Sequence, residues 1–130
     1  MGALISAVVL LLMPWTPACD ALDALDVVRA EAWRRGDPDL LATVYAAGAG
    51  TADVARLAAW ADRGLRVEGA RTLRARCREH GQVVRVVERL GPATAVGPHG
   101  ARRPLPQDGW DRRRISLDFE GGRWRIVTVS

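Results

Sequence analysis

The sequence predicts an α+β domain in which N-terminal helices pack on an antiparallel sheet of about four or five strands. Apolar side chains recur at helical spacing from Asp20 to Arg63, and they alternate with polar ones over much of the chain after Gly64. The chain ends in two alternating runs on either side of Gly121-Gly122. These two periods distinguish one-sided helices from one-sided strands. Helices followed by a run of strands are typical of the α+β class.

The closing hairpin carries the clearest of these patterns. Gly121-Gly122 predicts a tight turn, because glycine readily adopts the positive φ that such turns require. The side chains expected on the buried face are Ile115, Leu117 and Phe119 in the first strand, and Trp124, Ile126 and Thr128 in the second. Arg123 and Arg125 have the opposite parity and are expected to face away.

Three helices are predicted before the sheet. The first runs from Asp20, its cap, to Gly36, its end. Asp37-Pro38-Asp39 predicts a second start, because Asp is a good cap and Pro fits the first helical position. Thr51 is expected to cap a third helix that continues to about Arg63.

The upstream strands are less regular than the hairpin. Val67–Arg78 predicts one strand, with Leu73, Ala75 and Cys77 buried and the intervening arginines solvated. Gln82–Leu90 predicts a second strand and Ala93–Val96 a short third one. Residues 97–109 hold three Pro and three Gly, which predicts a loop.

Residues 1–18 form a hydrophobic leader without a charged side chain. The apolar run Ala3–Trp15 is shorter than the roughly 20 residues that a membrane-spanning helix needs, and it suits the core of a signal peptide. We therefore expect a signal peptide or short membrane anchor, followed by an extracytoplasmic domain over residues 20–130. Thr16-Pro17-Ala18-Cys19 is similar to a bacterial lipoprotein cleavage box, although Leu is usual in place of Thr16. Cleavage, lipid modification at Cys19 and retention all stay open.

The two cysteines, Cys19 and Cys77, leave two interpretations. They could pair in an oxidising compartment. Alternatively, Cys77 could be an inert small residue of the core.

Charge is distributed unevenly along the chain. All 19 basic residues are Arg, a bias typical of a GC-rich bacterial genome. The net charge is −3 over residues 20–39 and +8 over residues 63–129. Nucleic-acid binding usually shows a clustered patch and a known motif, whereas strand alternation spreads these arginines, so no nucleic-acid partner is predicted. Arg112-Arg113-Arg114 is a candidate contact for anionic lipid headgroups.

A family resemblance rests mainly on the first two predicted helices. The matching residues are Leu25-Asp26, Arg29-Ala30, Ala32-Trp33, Gly36-Asp37-Pro38, Leu40-Leu41 and Val44-Tyr45, followed by Arg63-Gly64-Leu65-Arg66-Val67 and Trp124-Arg125-Ile126. Over residues 20–130 the chain resembles the nuclear-transport-factor-2-like (NTF2-like, SnoaL-like) superfamily, in particular uncharacterised actinobacterial extracytoplasmic or membrane-anchored proteins. The resemblance implies a cone in which a curved sheet wraps the first helix around a pocket, and a homodimer formed through the sheet.

The candidate pocket residues are Asp26, Arg29, Trp33, Tyr45 and Glu88. Asp26 and Arg29 are three residues apart, so they could pair on the surface of the helix or present a pocket carboxylate held by a guanidinium. Tyr45 is expected in the core with its hydroxyl at the rim.

Glu88 continues the parity of Val84 and Val86, and points inward unless the face of Val83 and Val87 is the buried one. A buried carboxylate would have a raised pKa and would suit proton transfer. A salt bridge to an arginine of a neighbouring strand is the other interpretation.

The function predicted is a small binding or interaction module for an unknown ligand. The alternative is a small pocket enzyme of the cyclase, isomerase or dehydratase type, with Glu88 or Asp26 as its acid–base group. No cofactor or metal is predicted, because His80 and His99 lack neighbours at metal-ligand spacing. The expected partners are a membrane surface, a second copy bound through the sheet, or an unknown small ligand or protein.

Overall fold

The computed structural model describes residues 2–130. Over this range the helices are α1 Gly2–Leu11, α2 Ala18–Arg35, α3 Pro38–Ala42 and α4 Thr51–Asp62. The strands are β1 Arg66–Glu68, β2 Thr72–His80, β3 Val83–Leu90, β4 Thr94–Val96, β5 Arg102–Pro104, β6 Asp111–Glu120 and β7 Arg123–Val129.

The α+β class is confirmed, since helices pack against antiparallel sheets. The main sheet has four strands in the order β2-β3-β6-β7, and a smaller one has the order β1-β4-β5. Strand β5 and a short 3-10 turn, Pro98–Gly100, lie in the segment predicted to be a loop. The four strands of the main sheet agree with the four or five expected, and the smaller sheet adds three short strands.

Helix α2 is the centre of the main core. Its stripe of Leu22, Leu25 and Val28 is at most 3% exposed and belongs to the same buried cluster as Val84 and Val86 of β3. Each large aliphatic side chain buried in this way contributes about 1.5–3 kcal/mol. The helix begins at Ala18, two residues before the predicted cap Asp20, and ends as predicted at Gly36, whose φ is 66°. This φ lies in the left-handed region that glycine tolerates.

Helices α3 and α4 cover a second, smaller core. Asp37 caps α3 as predicted, because its carboxylate accepts a hydrogen bond from Leu40 N at 3.0 Å. Gly50, and not Thr51, holds the capping position of α4. Trp33 and Trp60 meet edge to face in this core, with ring centroids 5.8 Å apart.

The closing hairpin is confirmed. β6 and β7 pair in register from Glu120 opposite Arg123 to Leu117 opposite Ile126, and a register shift follows between Ser116 and Leu117. Trp124 and Ile126 are buried as expected. The prediction for Thr128 was wrong, because the register shift leaves its side chain exposed, beside the hydroxyl of Ser116.

The prediction for Val67–Arg78 was wrong in two respects. The chain leaves the sheet between β1 and β2, so this stretch contributes to two different sheets. Within β2 the register with β3 shifts between Arg74 and Arg76, which leaves Ala75 without a partner. Such a bulge reverses the parity of the preceding residues, so Leu73 and Ala75 are exposed while Arg74 faces inward.

The N-terminal leader lies against the rest of the fold. α1 buries Ala7 and Leu11 in the main core, and the indole Nε1 of Trp124 donates a hydrogen bond to Met13 O at 3.0 Å. Cys19 and Cys77 form a disulfide that joins the start of α2 to β2. Within residues 2–130, no helix is both long and apolar enough to cross a bilayer.

Candidate functional site

An open cavity of about 630 Å³ lies between α2, the start of α4 and the inner face of the main sheet. Its size is within the range typical of small-molecule sites. The apolar part of its lining is Leu22, Leu25, Val44, Leu90, Ile115 and Ile126. The ionisable part is Asp26, Asp53, Glu88, Asp108 and Asp111 with Arg29, Arg56, Arg74, Arg89 and Arg113, and Tyr45 lies among them.

The loop between α3 and α4 carries one wall of this cavity along β7. Ala46 N donates to Ile126 O and Ile126 N donates to Val44 O, each at 2.8 Å. Because Tyr45 lies between these two anchored residues, its position is fixed by β7. Gly50 then passes over the tyrosine ring so closely that a Cβ atom there would lie 2.2 Å from Tyr45 Cγ.

Arg29, Asp53 and Tyr45 form a hydrogen-bonded cluster in the cavity wall. Arg29 donates to Asp53 through two nitrogens, with Nε–Oδ2 at 2.9 Å and Nη2–Oδ1 at 3.1 Å. The hydroxyl of Tyr45 donates to the same Oδ2. Two-point pairing of a guanidinium with a carboxylate is among the stronger polar contacts in proteins. It fixes the orientation of both side chains.

The protonation states of this cluster follow from burial and charge. Burial raises the pKa of Tyr45 to about 12, and its hydrogen bond to the Asp53 carboxylate acts in the same direction. Burial also acts to raise the pKa of Asp53, but the hydrogen bonds and charge of Arg29 overcome it and hold that pKa below its ordinary value. Near neutral pH the cluster is therefore an arginine cation, an aspartate anion and a neutral phenol.

Asp26 has a different role from the predicted pair with Arg29. Its side chain is only 3% exposed, and its two oxygens accept hydrogen bonds from Thr72 N at 3.0 and 3.2 Å. Oδ2 also accepts from Arg71 Nε at 3.1 Å. The i,i+3 prediction was wrong, because both side chains find partners on other elements. Asp26 fastens α2 to the first residue of β2.

Glu88 faces the cavity side of the sheet, and Val84 and Val86 are the buried valines of β3, as the inward parity predicts. Its carboxylate accepts from Arg74 Nε at 3.1 Å and lies 3.8 Å from Arg113 Nε. Arg74 also donates to Asp23 at 2.8 Å, so α2, β2, β3 and β6 are joined by one ionic network. The salt-bridge interpretation of Glu88 is the one that agrees with this geometry.

Four of the five predicted pocket residues line the cavity, and one does not. Asp26, Arg29, Tyr45 and Glu88 are brought together there. Trp33 lies instead in the second core, where its Nε1 lacks a hydrogen-bond partner within the described part of the chain.

Asp53 is the functional candidate that the sequence reasoning missed. It is the single acid between Asp39 and Asp62, which marks it as unusual in an otherwise small and apolar segment. An acid in the first turn of a helix is, however, normally explained by the helix dipole. Its pairing with Arg29, 24 residues earlier, depends on how α4 packs.

No cluster of three or more His, Cys, Asp or Glu side chains that could hold a metal ion occurs within residues 2–130. The cavity instead offers a fixed set of hydrogen-bonding groups around an apolar floor. Such a lining can orient a small molecule without a metal ligand.

Comparison with known proteins gives information about the fold of the chain and none about its function. No protein-family model and no curated protein sequence matches the chain. Among solved structures, a conserved protein from Planctomyces limnophilus aligns with a TM-score of 0.59 and 15% identity, covering 86% of this chain and 97% of that one. The intermembrane space region of the chloroplast protein ARC6 aligns with a TM-score of 0.52 and 15% identity, covering 81% and 85%. At this identity the likeness shows a shared fold only.

Proposed function

We propose that this protein is a small extracytoplasmic or membrane-tethered binding module, whose cavity holds an uncharged, partly apolar small molecule. The observation that carries the proposal is the open cavity of about 630 Å³, in which an apolar floor is bordered by charged groups most of which already have ionic partners. Pockets that combine an apolar lining with a few fixed polar groups are the usual form of a small-molecule site.

The preference for an uncharged ligand follows from the balance of the lining. Five acids line the cavity with Arg29, Arg56, Arg74 and Arg113, while Arg89 turns its guanidinium onto the Trp110 ring on the outer face, so the formal charges nearly cancel. The central ones are already engaged, Asp53 by Arg29 and Glu88 by Arg74. A charged ligand placed among these central groups would have to break such a pair and leave its partner desolvated, which costs more than the new contact returns. Hydroxyl or carbonyl groups could bind to the edges of these pairs without displacing them.

The same pairing argues against catalysis by proton transfer. A general base works best with a pKa near the working pH. The pKa of Asp53 is shifted down and that of Tyr45 is raised to about 12, so both shifts are away from neutrality. The two predicted acid–base candidates are engaged as well, since Asp26 accepts hydrogen bonds from Thr72 and Arg71, and Glu88 accepts one from Arg74. The lining therefore suits ligand binding better than catalysis by proton transfer.

The binding test uses phenylnaphthylamine, a neutral apolar dye whose fluorescence rises in apolar sites. Ala52 lies exposed at the cavity mouth in the first turn of α4. We expect Ala52→Trp to fill the mouth and to weaken dye binding at least about tenfold, because the indole occupies the volume that the dye needs.

Ala55→Trp is the matched control, since Ala55 is also exposed on the same helix but does not line the cavity. It should bind the dye as the unmodified protein does. Equal dye affinity in all three proteins would mean that the dye binds elsewhere, which would contradict the proposal that the cavity is the binding site.

Membership in the nuclear-transport-factor-2-like superfamily is part of this proposal. Its support is the arrangement of helices before an antiparallel sheet with a cavity between them, together with the residue pattern of segment 25–45. Enzymes and binding proteins both occur on shared folds, so kinship alone would not decide the function.

The proposed location rests on two features. Ala3–Trp15 is an apolar run typical of an export signal or a short anchor. The Cys19–Cys77 pairing suits an oxidising compartment, where disulfides persist. A reporter that is active only outside the cytoplasm, fused after Ser130, should be active. Activity restricted to a cytoplasm-specific reporter at the same position would contradict export.

A further inference from the structure

The outer face of the main sheet carries an array of arginines. Arg78 of β2, Arg85 of β3 and Arg114 of β6 lie directly opposite one another across three strands. Two residues further along, Arg76 and Arg112 flank Val87 on the same face. All five arginines are exposed. A shallow groove of about 500 Å³ runs among them.

This arginine array points away from α2, and its guanidiniums take no part in the ionic networks of the inner face. The residues that alternate with it in β3, Val84 and Val86, are the ones buried against α2. Across residues 2–130, none of the ion pairs within 4.0 Å includes a member of the array. The acids in outward positions of β6, Asp118 and Glu120, lie nearer the β6–β7 turn, opposite Arg125 and Arg123.

Such an array weakens the isolated fold, because like charges directly opposite in a sheet repel each other. Arg85 in particular lies between two arginines. Solubility alone would be served as well by mixed charges. An anionic partner gives this arrangement a physical reason, since it would neutralise all five charges at once.

We propose that the arginine array docks the protein on the surface of an anionic lipid bilayer. Beyond Arg76 on the same face, Leu73 lies opposite Arg89, and the Arg89 guanidinium stacks over the Trp110 ring at 4.5 Å. Leu73 is 39% exposed and Trp110 is 47% exposed. Arginines attract anionic headgroups, and an exposed tryptophan with an aliphatic neighbour suits the adjoining interface.

A nucleic acid fits this face less well than a bilayer. Arg89 covers one face of the Trp110 ring, so that face is closed to the base stacking on which single-strand binders depend. The disulfide Cys19–Cys77 also indicates an oxidising compartment, where a membrane surface is a more available partner than nucleic acid.

A second copy docked through the same face fits less well too. Two such faces would bring the arginine arrays of the two copies against each other, without acids among the array to separate them. Like-charge contact of this kind opposes association.

The test compares partitioning of the full chain to phosphatidylglycerol–phosphatidylcholine vesicles and to pure phosphatidylcholine vesicles at low salt. The ratio of the two partition coefficients isolates the effect of lipid charge, because the exposed apolar side of α1 can bind to both kinds of vesicle. Each arginine near an anionic surface contributes about fivefold. We therefore expect Arg78→Gln/Arg85→Gln/Arg114→Gln to lower the ratio about a hundredfold, and added salt to lower the ratio of the unmodified protein.

The matched control, Arg63→Gln/Arg66→Gln/Arg103→Gln, removes the same number of exposed arginines outside the array. Its ratio should stay within a few-fold of the unmodified protein. The array variant should also keep or raise its denaturation midpoint, because it loses only repulsion. A midpoint that is kept or raised shows that a lower vesicle ratio comes from lost docking and not from unfolding.

Three results would overturn the proposal. The first is an array variant whose vesicle ratio equals that of the control. The second is a ratio near one for the unmodified protein while a DNA oligonucleotide binds tightly at the same salt, which would assign the face to nucleic acid. The third is a dimer in sedimentation that dissociates in the array variant, which would assign it to a second copy.

Discussion

At the scale of single residues, the cavity wall depends on one carboxylate with two partners. Asp53 accepts both hydrogen bonds of the Arg29 fork and the hydroxyl of Tyr45. Its side chain is 13% exposed and that of Arg29 is 27% exposed, so the pair is largely shielded from water. Removing one charge would leave the other desolvated without a counter-charge, which costs more than an exposed pair would.

Asp53→Asn should lower the free energy of unfolding by about 2 kcal/mol, because Arg29 then keeps its burial without a carboxylate partner. Urea denaturation measures this change. Tyr45→Phe is the control for the hydrogen bond alone and should cost about 1 kcal/mol. If Asp53→Asn is as stable as the unmodified protein, the cluster does not support the cavity wall.

The pH dependence gives an independent check on the same pair. The pKa of Asp53 lies below its ordinary value of 3.8 in the folded state, so the unfolded state binds more protons near that pH. The stabilisation is present above the ordinary value and is lost as the pH falls through the folded pKa. Stability should therefore fall more steeply below about pH 4 in the unmodified protein than in Asp53→Asn.

Gly50→Ala tests the close contact between the α3–α4 loop and Tyr45. Gly50 has a φ of 67°, and a Cβ there would overlap the tyrosine ring. We expect a loss of about 2–4 kcal/mol, since strain from positive φ adds to overpacking. Gly48→Ala shares the positive φ but meets open space, so about 1 kcal/mol is expected. Equal losses in thermal or urea denaturation would show that the ring contact contributes nothing.

At the scale of elements, β2 is positioned by an irregularity that residue periodicity does not reveal. The extra residue at Ala75 turns Arg74 toward the inner face, where it meets Asp23 of α2 and Glu88 of β3. Before the bulge, the backbone N–H of Thr72 donates to Asp26 of α2. Past the bulge, Cys77 also faces inward, as the alternation predicts. The hairpin, by contrast, was predictable from local signals, because its turn residues and alternating faces agree with each other.

The Cys19–Cys77 disulfide is the covalent tie between α2 and β2, and it closes a loop across 58 residues. Cys19→Ser/Cys77→Ser should lower the free energy of unfolding by about 3–4 kcal/mol, because the unfolded chain regains the entropy of that loop. Chemical denaturation without reductant gives the value.

Reductant serves as the control for this prediction. It should shift the denaturation midpoint of the unmodified protein toward that of the double variant and leave the double variant unchanged. A midpoint insensitive to both changes would mean that the two cysteines are not paired in solution.

At the scale of the whole molecule, the α+β class and most helix and strand positions could be predicted, because they rest on periodicity and on caps such as Asp37. The site could be predicted only in part. Tyr45 could be predicted from its expected place at the rim of the core, and Glu88 from the parity of its strand. Asp53 could not, because it pairs with Arg29 through tertiary packing that leaves no local sequence pattern. Trp33 was misplaced because an aromatic residue beside an apolar stripe fits either core equally well.

The central claim is that the cavity between α2 and the main sheet is the binding site. The most direct measurement follows the backbone amide signals of the isotope-labelled protein while phenylnaphthylamine is added. Shifts should concentrate at residues that line the cavity, including Gly50, Ala52, Thr72 and Thr128. Shifts confined to the exposed apolar residues of the leader, such as Val8, Val9 and Leu12, would contradict it.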